Sequence, residues 1–173
     1  ARRQRQMCIR DRYTDCPLYW ISVIYLNFAE AKAEMGSLTQ DDLNNSINKL
    51  QARAGLPAMT TTPDADPANN MGVSNLIWEI RRCRRCELIM DNWYRYWDLI
   101  RWHQLDKLDS TKYPNTMLGA NVSNVPDCEE ATKNGYIDAS DAQIRTYEAK
   151  HYFYPIPTTQ LTLNKNMKQN PGW

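Results

Sequence analysis

The sequence predicts a mainly α fold, helix pairs joined by irregular loops and short strands. Apolar residues recur at helical spacing along the N-terminal part, and the periodic runs are closed by Gly36 and Gly55 or interrupted at Asp91-Asn92. After Gln104 the periodicity weakens, and Pro114, Gly119, Pro126 and Gly135 cut the chain into short pieces.

The first unit spans residues 17–35. Ile21, Ile24, Tyr25, Phe28, Ala31 and Met35 fall on one stripe, and Gly36 supplies the stop. Thr39 with Asp42 forms an imperfect capping box. Leu43, Ile47, Leu50 and Ala54 then make a second stripe, which Gly55 and Pro57 end. Two antiparallel helices result, and small Ala29, Ala31 and Ala33 let the backbones approach closely, as in tetratricopeptide-type pairs.

Residues 59–72 are rich in Pro, Asn and Thr with little to bury, so they read as a surface loop. A second helical unit follows, with Leu76, Ile80, Cys83 and Met90 on an apolar side and Arg81, Arg82, Arg84 and Arg85 on the others. Asp91-Asn92 interrupts it, and Trp93 restarts the pattern through Trp102. Residues 104–149 are expected to be loops with short strands or turns.

The C-terminal stretch from Tyr152 to Trp173 is the most distinctive. Pro155 and Pro157 hold Ile156 in an extended run, with Tyr152 and Tyr154 pointing one way and Phe153 the other. Thr158 can cap one short helical turn. Asn170-Pro171-Gly172 then turns the chain and delivers Trp173 to a position where it is expected to be packed down.

Chemistry-bearing patterns are sparse. With 21 basic and 20 acidic residues the net charge is +1, which argues against a polyanionic partner. The arginines at 81, 82, 84 and 85 sit near Glu79, Glu87 and Asp91, so an ion-paired or solvated face is favoured over a nucleic-acid surface. Cys83 and Cys86 have CxxC spacing, but they lie mid-helix with no second pair, and His103 and His151 are distant in sequence. Metal sites need about four converging ligands. The remaining cysteines, Cys8, Cys16 and Cys128, are scattered and imply no disulfide framework. Glu30, Glu34, Glu87 and Asp98 form no evident acid/base pair, and no nucleophile elbow or phosphate loop is present, so no catalytic residue is assigned. Trp93, Tyr96 and Trp97 recur at helical spacing, a pattern that more often builds core than a binding platform. Arg95, Arg101 and Asp98 are expected to form ion pairs that lock this helix.

Ordered blocks carry a family resemblance. Tyr25-Leu26-Asn27-Phe28-Ala29-Glu30-Ala31 is followed by Ile47-Asn48 and Arg53-Ala54-Gly55-Leu56-Pro57. Next come Glu79-Ile80-Arg81-Arg82 and Trp97-Asp98-Leu99-Ile100-Arg101-Trp102, and last the C-terminal run. This order resembles the SusD/RagB-like outer-membrane nutrient-binding proteins, whose chains end in Y-P-I-P and, further on, Q-N-P-G-[WY]. Gln160 replaces the usual acidic residue, Lys165 the usual Pro, and Cys83 a common Glu.

The resemblance implies a SusD-like α fold and a lipoprotein on the outer-membrane surface. Such a protein sits over a SusC-like TonB-dependent transporter and binds an oligosaccharide or peptide without catalysis, cofactor, metal or nucleic acid. Its ligand-contacting residues vary among members, so none is assigned here. The alternative is a helical-repeat protein-interaction module without glycan binding. Family chains are several times longer and begin with a lipid-anchor signal, so residues 13–173 read as a C-terminal part. Residues 1–12, which include the run Gln4-Arg5-Gln6-Met7-Cys8-Ile9-Arg10-Asp11-Arg12, read as a non-native leader. Surface from 104–149 that the missing half would cover should make the fragment poorly soluble.

Overall fold

The computed structural model describes residues 19–89, 94–125, 135–138 and 143–173. The leader at 1–12, Pro17, Met90, the Asp91-Asn92 interruption, Trp93, Pro126, Cys8, Cys16 and Cys128 lie outside the described residues. The fold is mainly α, and the chain divides into two compact units, Ala1–Asp91 and Asn92–Trp173.

The first unit holds α1 (Ile21–Glu34), α2 (Gln40–Asn44), α3 (Ile47–Ala54) and α4 (Asn75–Glu87). Gly36 stops α1 as its sequence position predicts. With φ at 67° it adopts the left-handed conformation, its N–H donates to Ala33 O, and Ser37 N–H reaches back to Lys32 O at 3.0 Å. Gly55, at φ 72°, ends α3 with the same paired bonds to Ala52 and Gln51. The shorter Asp serves the capping box well. Asp42 N–H donates to Thr39 Oγ1 at 3.2 Å, and Thr39 N–H donates to Asp42 Oδ2 at 2.9 Å. One predicted helix becomes two, because the Ser46 hydroxyl donates to Asp42 O at 2.6 Å and the chain turns at Asn45 and Ser46.

Leu26, Ala29, Leu43, Ile47 and Ile80 are fully buried, and α1 packs on both α3 and α4. Each buried aliphatic side chain contributes about 1.5–3 kcal/mol. The apolar stripe of α1 does not face this core. Its buried side is Ser22, Val23, Leu26, Ala29 and Glu30, whereas Ile21, Ile24, Phe28 and Met35 are exposed. The stretch 59–72 is pinned more firmly than its composition suggests. Met59 is buried, and the Asn48 amide bonds both its N–H (2.7 Å) and its carbonyl (3.1 Å), as a neighbouring strand would. Farther along, Trp78 Nε1 donates to Asp66 Oδ2 at 3.0 Å.

The second unit contains α5 (Tyr94–Arg101), single 3₁₀ turns at Leu105–Leu108, Pro114–Met117 and Ala149–Tyr152, and α6 (Thr158–Leu163). Strands β1 (Leu118–Asn121) and β2 (Tyr136–Asp138) pair antiparallel, with Leu118 opposite Asp138. Loops and short strands are thus what the broken periodicity beyond Gln104 encodes. Leu99, Trp102 and Leu105 form the buried apolar centre. Thr158 does not cap α6. It lies inside the helix, Pro157 takes the N-cap position without a side-chain bond, and the proline's fixed φ starts the turn.

Candidate functional site

Two of the family-like blocks, residues 25–31 and 79–82, meet where α1 touches α4. Leu26, Ala29 and Ile80 seal the apolar part, which leaves Glu30 only 2% exposed. Arg81 answers it with an Nε–H bond to Glu30 Oε1 at 3.2 Å, and its terminal nitrogen donates to Glu34 at 3.3 Å. One turn further, Arg84 donates to Asn27 Oδ1 at 2.8 Å. Arg82 pairs instead with Glu79 on its own helix, which holds its guanidinium charged far beyond the neutral range, and Arg53 pairs with Glu87. Arg81 and Arg82 are ion-paired as expected and Arg85 is exposed, but Arg81 and Arg84 are buried rather than solvated. A buried charge requires such partners because its desolvation costs several kcal/mol.

Cys83 and Cys86 share α4 but not an environment: Cys86 is exposed and Cys83 is half-buried, 3.7 Å from Gln51 Nε2. Burial, with Glu87 and Glu79 nearby, pushes the Cys83 thiol up to about 11, the opposite of what a nucleophile or metal ligand needs. Among the described residues no cluster of His, Cys, Asp and Glu could hold a metal ion.

In the second unit, Asp98 is buried and accepts from Arg101 Nε at 2.9 Å, in the predicted role. Arg101 and Arg95 also lie over the Trp102 ring, at 4.8 and 5.8 Å from its centre. Of the aromatic stripe, Trp97 is not core; it is 56% exposed and meets Tyr96 edge-on at 5.7 Å. Tyr96 and Tyr154 bring their hydroxyls within 3.4 Å, and that bond raises the Tyr96 pKa. Tyr96, Trp97 and Tyr154 thus present rings and phenolic oxygens on the surface of this unit, a combination suited to non-covalent contact rather than to bond making.

The C-terminal run is a clasp, and its geometry explains its spelling. Gln169 Oε1 accepts from Ile156 N–H at 2.8 Å while its Nε2 donates to Ile156 O at 3.0 Å. Asn170 donates to Tyr154 O at 2.6 Å. Gly172, at φ 89°, completes the turn and aims Trp173 so that its indole N–H reaches the carbonyls of Phe153 (3.0 Å) and Lys150 (3.2 Å). Tyr152 anchors the other side, its hydroxyl accepting from Leu105 N–H at 3.2 Å and its ring 4.9 Å from that of His103. Asp109 ties in residues 143–148: it accepts from Thr111 and from Tyr147 N–H, and those bonds hold its carboxyl at about 2. The amide roles of Asn48 and Gln169 escaped the sequence reading. Their signal was there, since both lie inside the family-like blocks where no apolar pattern calls for an amide.

The SusD family model matches residues 10–173, nearly the whole chain. The chain belongs to the SusD family. Among solved structures, the SusD-like protein from Bacteroides fragilis matches at 25% identity with a TM-score of 0.59, over 88% of this chain and 25% of that one. This SusD-family chain therefore spans about a quarter of the length of that relative. No curated protein matches it. Within the blocks that carry the family pattern, Glu30, Arg81, Asp98, Arg101, Gln169 and Trp173 all bond to groups of their own unit.

Proposed function

We propose that residues 13–173 are the C-terminal part of a cell-surface nutrient-binding lipoprotein of the SusD type, and that residues 1–12 are a non-native leader. The parent works at the outer membrane beside a SusC-like TonB-dependent transporter, held by a lipid anchor that precedes this stretch. It captures an oligosaccharide, or a peptide, without chemistry and passes it on; it uses no cofactor and binds no nucleic acid. The family match across residues 10–173 carries this reading. The exposed Trp97 and Tyr154, with half-buried Tyr96 beside them, are compatible with it, since pyranose rings stack on such side chains in shallow sites.

The test is a glycan and peptide binding screen on the full parent reading frame recovered from source DNA, together with affinity purification from membranes. Saturable binding and co-purification of a TonB-dependent transporter are expected. Capture of a non-transporter protein with no glycan or peptide binding would favour the helical-repeat interaction module instead. Sequencing the locus tests the leader: if residues 1–12 are encoded upstream of Tyr13, that boundary is wrong.

A further inference from the structure

The CxxC motif of α4 carries chemistry that the nutrient-binding reading leaves unused. Cys83 and Cys86 are both free thiols, three residues apart near the end of a helix that closes at Glu87. At that spacing an α-helix sets Cα atoms about 5 Å apart, inside the window of about 4.4–6.8 Å that a disulfide accepts. The Cβ atoms stand about 5–6 Å apart, against about 3.5–4.5 Å in a finished bridge, so the turn must close by roughly 1 Å. This end of α4 can give. Gly36 and Gly55 lock their helices with left-handed caps and paired bonds, whereas Leu88 sits at φ −102° and makes a single bond back, to Arg84 O at 3.0 Å.

Access divides the work between the two sulfurs. Cys86 is exposed and meets a reagent first, while Cys83 is half-buried against Gln51. A thiol held at about 11 is a poor first attacker because little of it is thiolate, yet the thiolate it does form is strongly nucleophilic. Three residues from a mixed disulfide, it acts at a local concentration in the millimolar range, which offsets that scarcity. We infer that Cys83 and Cys86 form a reversible thiol–disulfide exchange site whose co-substrate is a small-molecule disulfide of the glutathione type. Cys86, as thiolate, attacks one sulfur of that disulfide, whose S–S bond breaks, and the first thiol leaves with the proton that Cys86 gave up. Cys83 then loses its proton and attacks Cys86 Sγ, forming the Cys83–Cys86 bond and expelling the second thiol. Two electrons pass from the two protein thiols to one disulfide, which becomes two thiols. Closing the turn strains the bridge, so it is easily reduced and behaves as a switch. None of this depends on what the parent protein binds.

The experiment incubates the reduced 173-residue chain with oxidised glutathione, quenches it with acid and an alkylating agent, and maps every cysteine by mass spectrometry. Trypsin cuts after Arg84 and Arg85, so the link shows itself as two peptides joined through sulfur. At roughly 0.1 mM reduced glutathione, a local concentration near 1 mM predicts the link over the Cys86–glutathione adduct by about ten-fold. Raising reduced glutathione to roughly 10 mM should reverse that ratio and reopen the bridge. Cys83→Ser should stop at the adduct, and Cys86→Ser should leave Cys83 unoxidised over the same interval. An adduct on Cys86 that persists beside free Cys83 in the native chain overturns the inference. So does a link from either residue to Cys8, Cys16, Cys128 or a second chain, or a link that the higher glutathione concentration fails to open.

Discussion

Replacing Arg81 with methionine isolates the interaction on which the α1 and α4 pairing depends. Methionine retains most of the apolar stem, so the change removes charge more than volume. Glu30, at 2% exposure, would lose its guanidinium while its carboxylate stayed enclosed by Leu26, Ala29 and Ile80. Removing one member of a buried pair costs about 3–5 kcal/mol. The Glu34 limb serves as the internal control. Its side chain is 49% exposed, so Glu34→Gln should cost about 0–1 kcal/mol. With roughly 4–8 °C per kcal/mol for a unit of this size, Arg81→Met should lower the melting temperature by about 12 °C or more. Circular dichroism melts and urea titrations of the 173-residue chain measure both variants. The double variant Glu30→Leu/Arg81→Met should recover at least half the loss, since it removes both members of the pair together. If Arg81→Met costs no more than Glu34→Gln, the pair is not what holds these helices and the reasoning fails.

Gln169→Glu keeps size but cannot donate to Ile156 O and sets a carboxylate against that carbonyl, so it should destabilise the second unit by about 1–3 kcal/mol; Gln169→Asn, too short to make both bonds, should cost a similar amount, and urea melts compare them. Trp173→Ala should likewise lower stability and leave the ligand preference of the parent unchanged, and loss of binding at unchanged stability would contradict the clasp. Asp109 gives a pH signature: its carboxyl sits at about 2, below its unfolded value near 4, so its stabilisation is fully present above pH 4 and is lost as pH falls toward 2. The melting-temperature gap between the native chain and Asp109→Asn should therefore close across that window, and a gap that persists at pH 2 refutes the assignment. At pH 8 a thiol titrating at about 11 is roughly one part in a thousand thiolate, so a disulfide reagent should modify Cys86 well before Cys83, and equal rates would show that Cys83 is not shielded.

Much of the architecture was legible because it is written in local chemistry. Gly36, Gly55 and the Thr39 to Asp42 box act within a turn of themselves, so their types and spacing determine where helices begin and end. The Asn170-Pro171-Gly172 turn follows for the same reason, whereas Trp173, expected to be packed down, is 47% exposed and is held through its indole N–H. What periodicity could not show was the inward side of α1. A hydrophobic pattern scores Glu30 and Ser22 as solvent-facing, but Glu30 is buried by an arginine that lies 51 positions later in the chain. Charge pairing across helices is a tertiary fact, and it inverted the apparent amphipathicity. Trp97 reads as core by spacing, yet Trp102, one turn and a residue later, is the buried one, within reach of the Arg95 and Arg101 guanidinium groups. The bonding partners of Asn48 and Gln169 were not legible for another reason: these amides read the main chain of distant segments, which no side-chain pattern records, although their place in the family-like blocks marked the residues themselves.

The targets of the C-terminal clasp have a consequence for how this stretch can vary. The hydrogen bonds from Gln169, Asn170 and the Trp173 indole to Ile156, Tyr154, Phe153 and Lys150 all end on backbone atoms. The information is thus stored on one side of the contact. The side chains of Phe153 and Ile156 can drift without unfastening those bonds, provided the extended path through Pro155 and Pro157 survives, whereas Tyr152 stays bound to Leu105 N–H and 169, 170 and 173 tolerate little change. A mutational scan of the clasp would show an asymmetry between its two limbs, greater tolerance at 153 and 156 than at 169, 170 and 173.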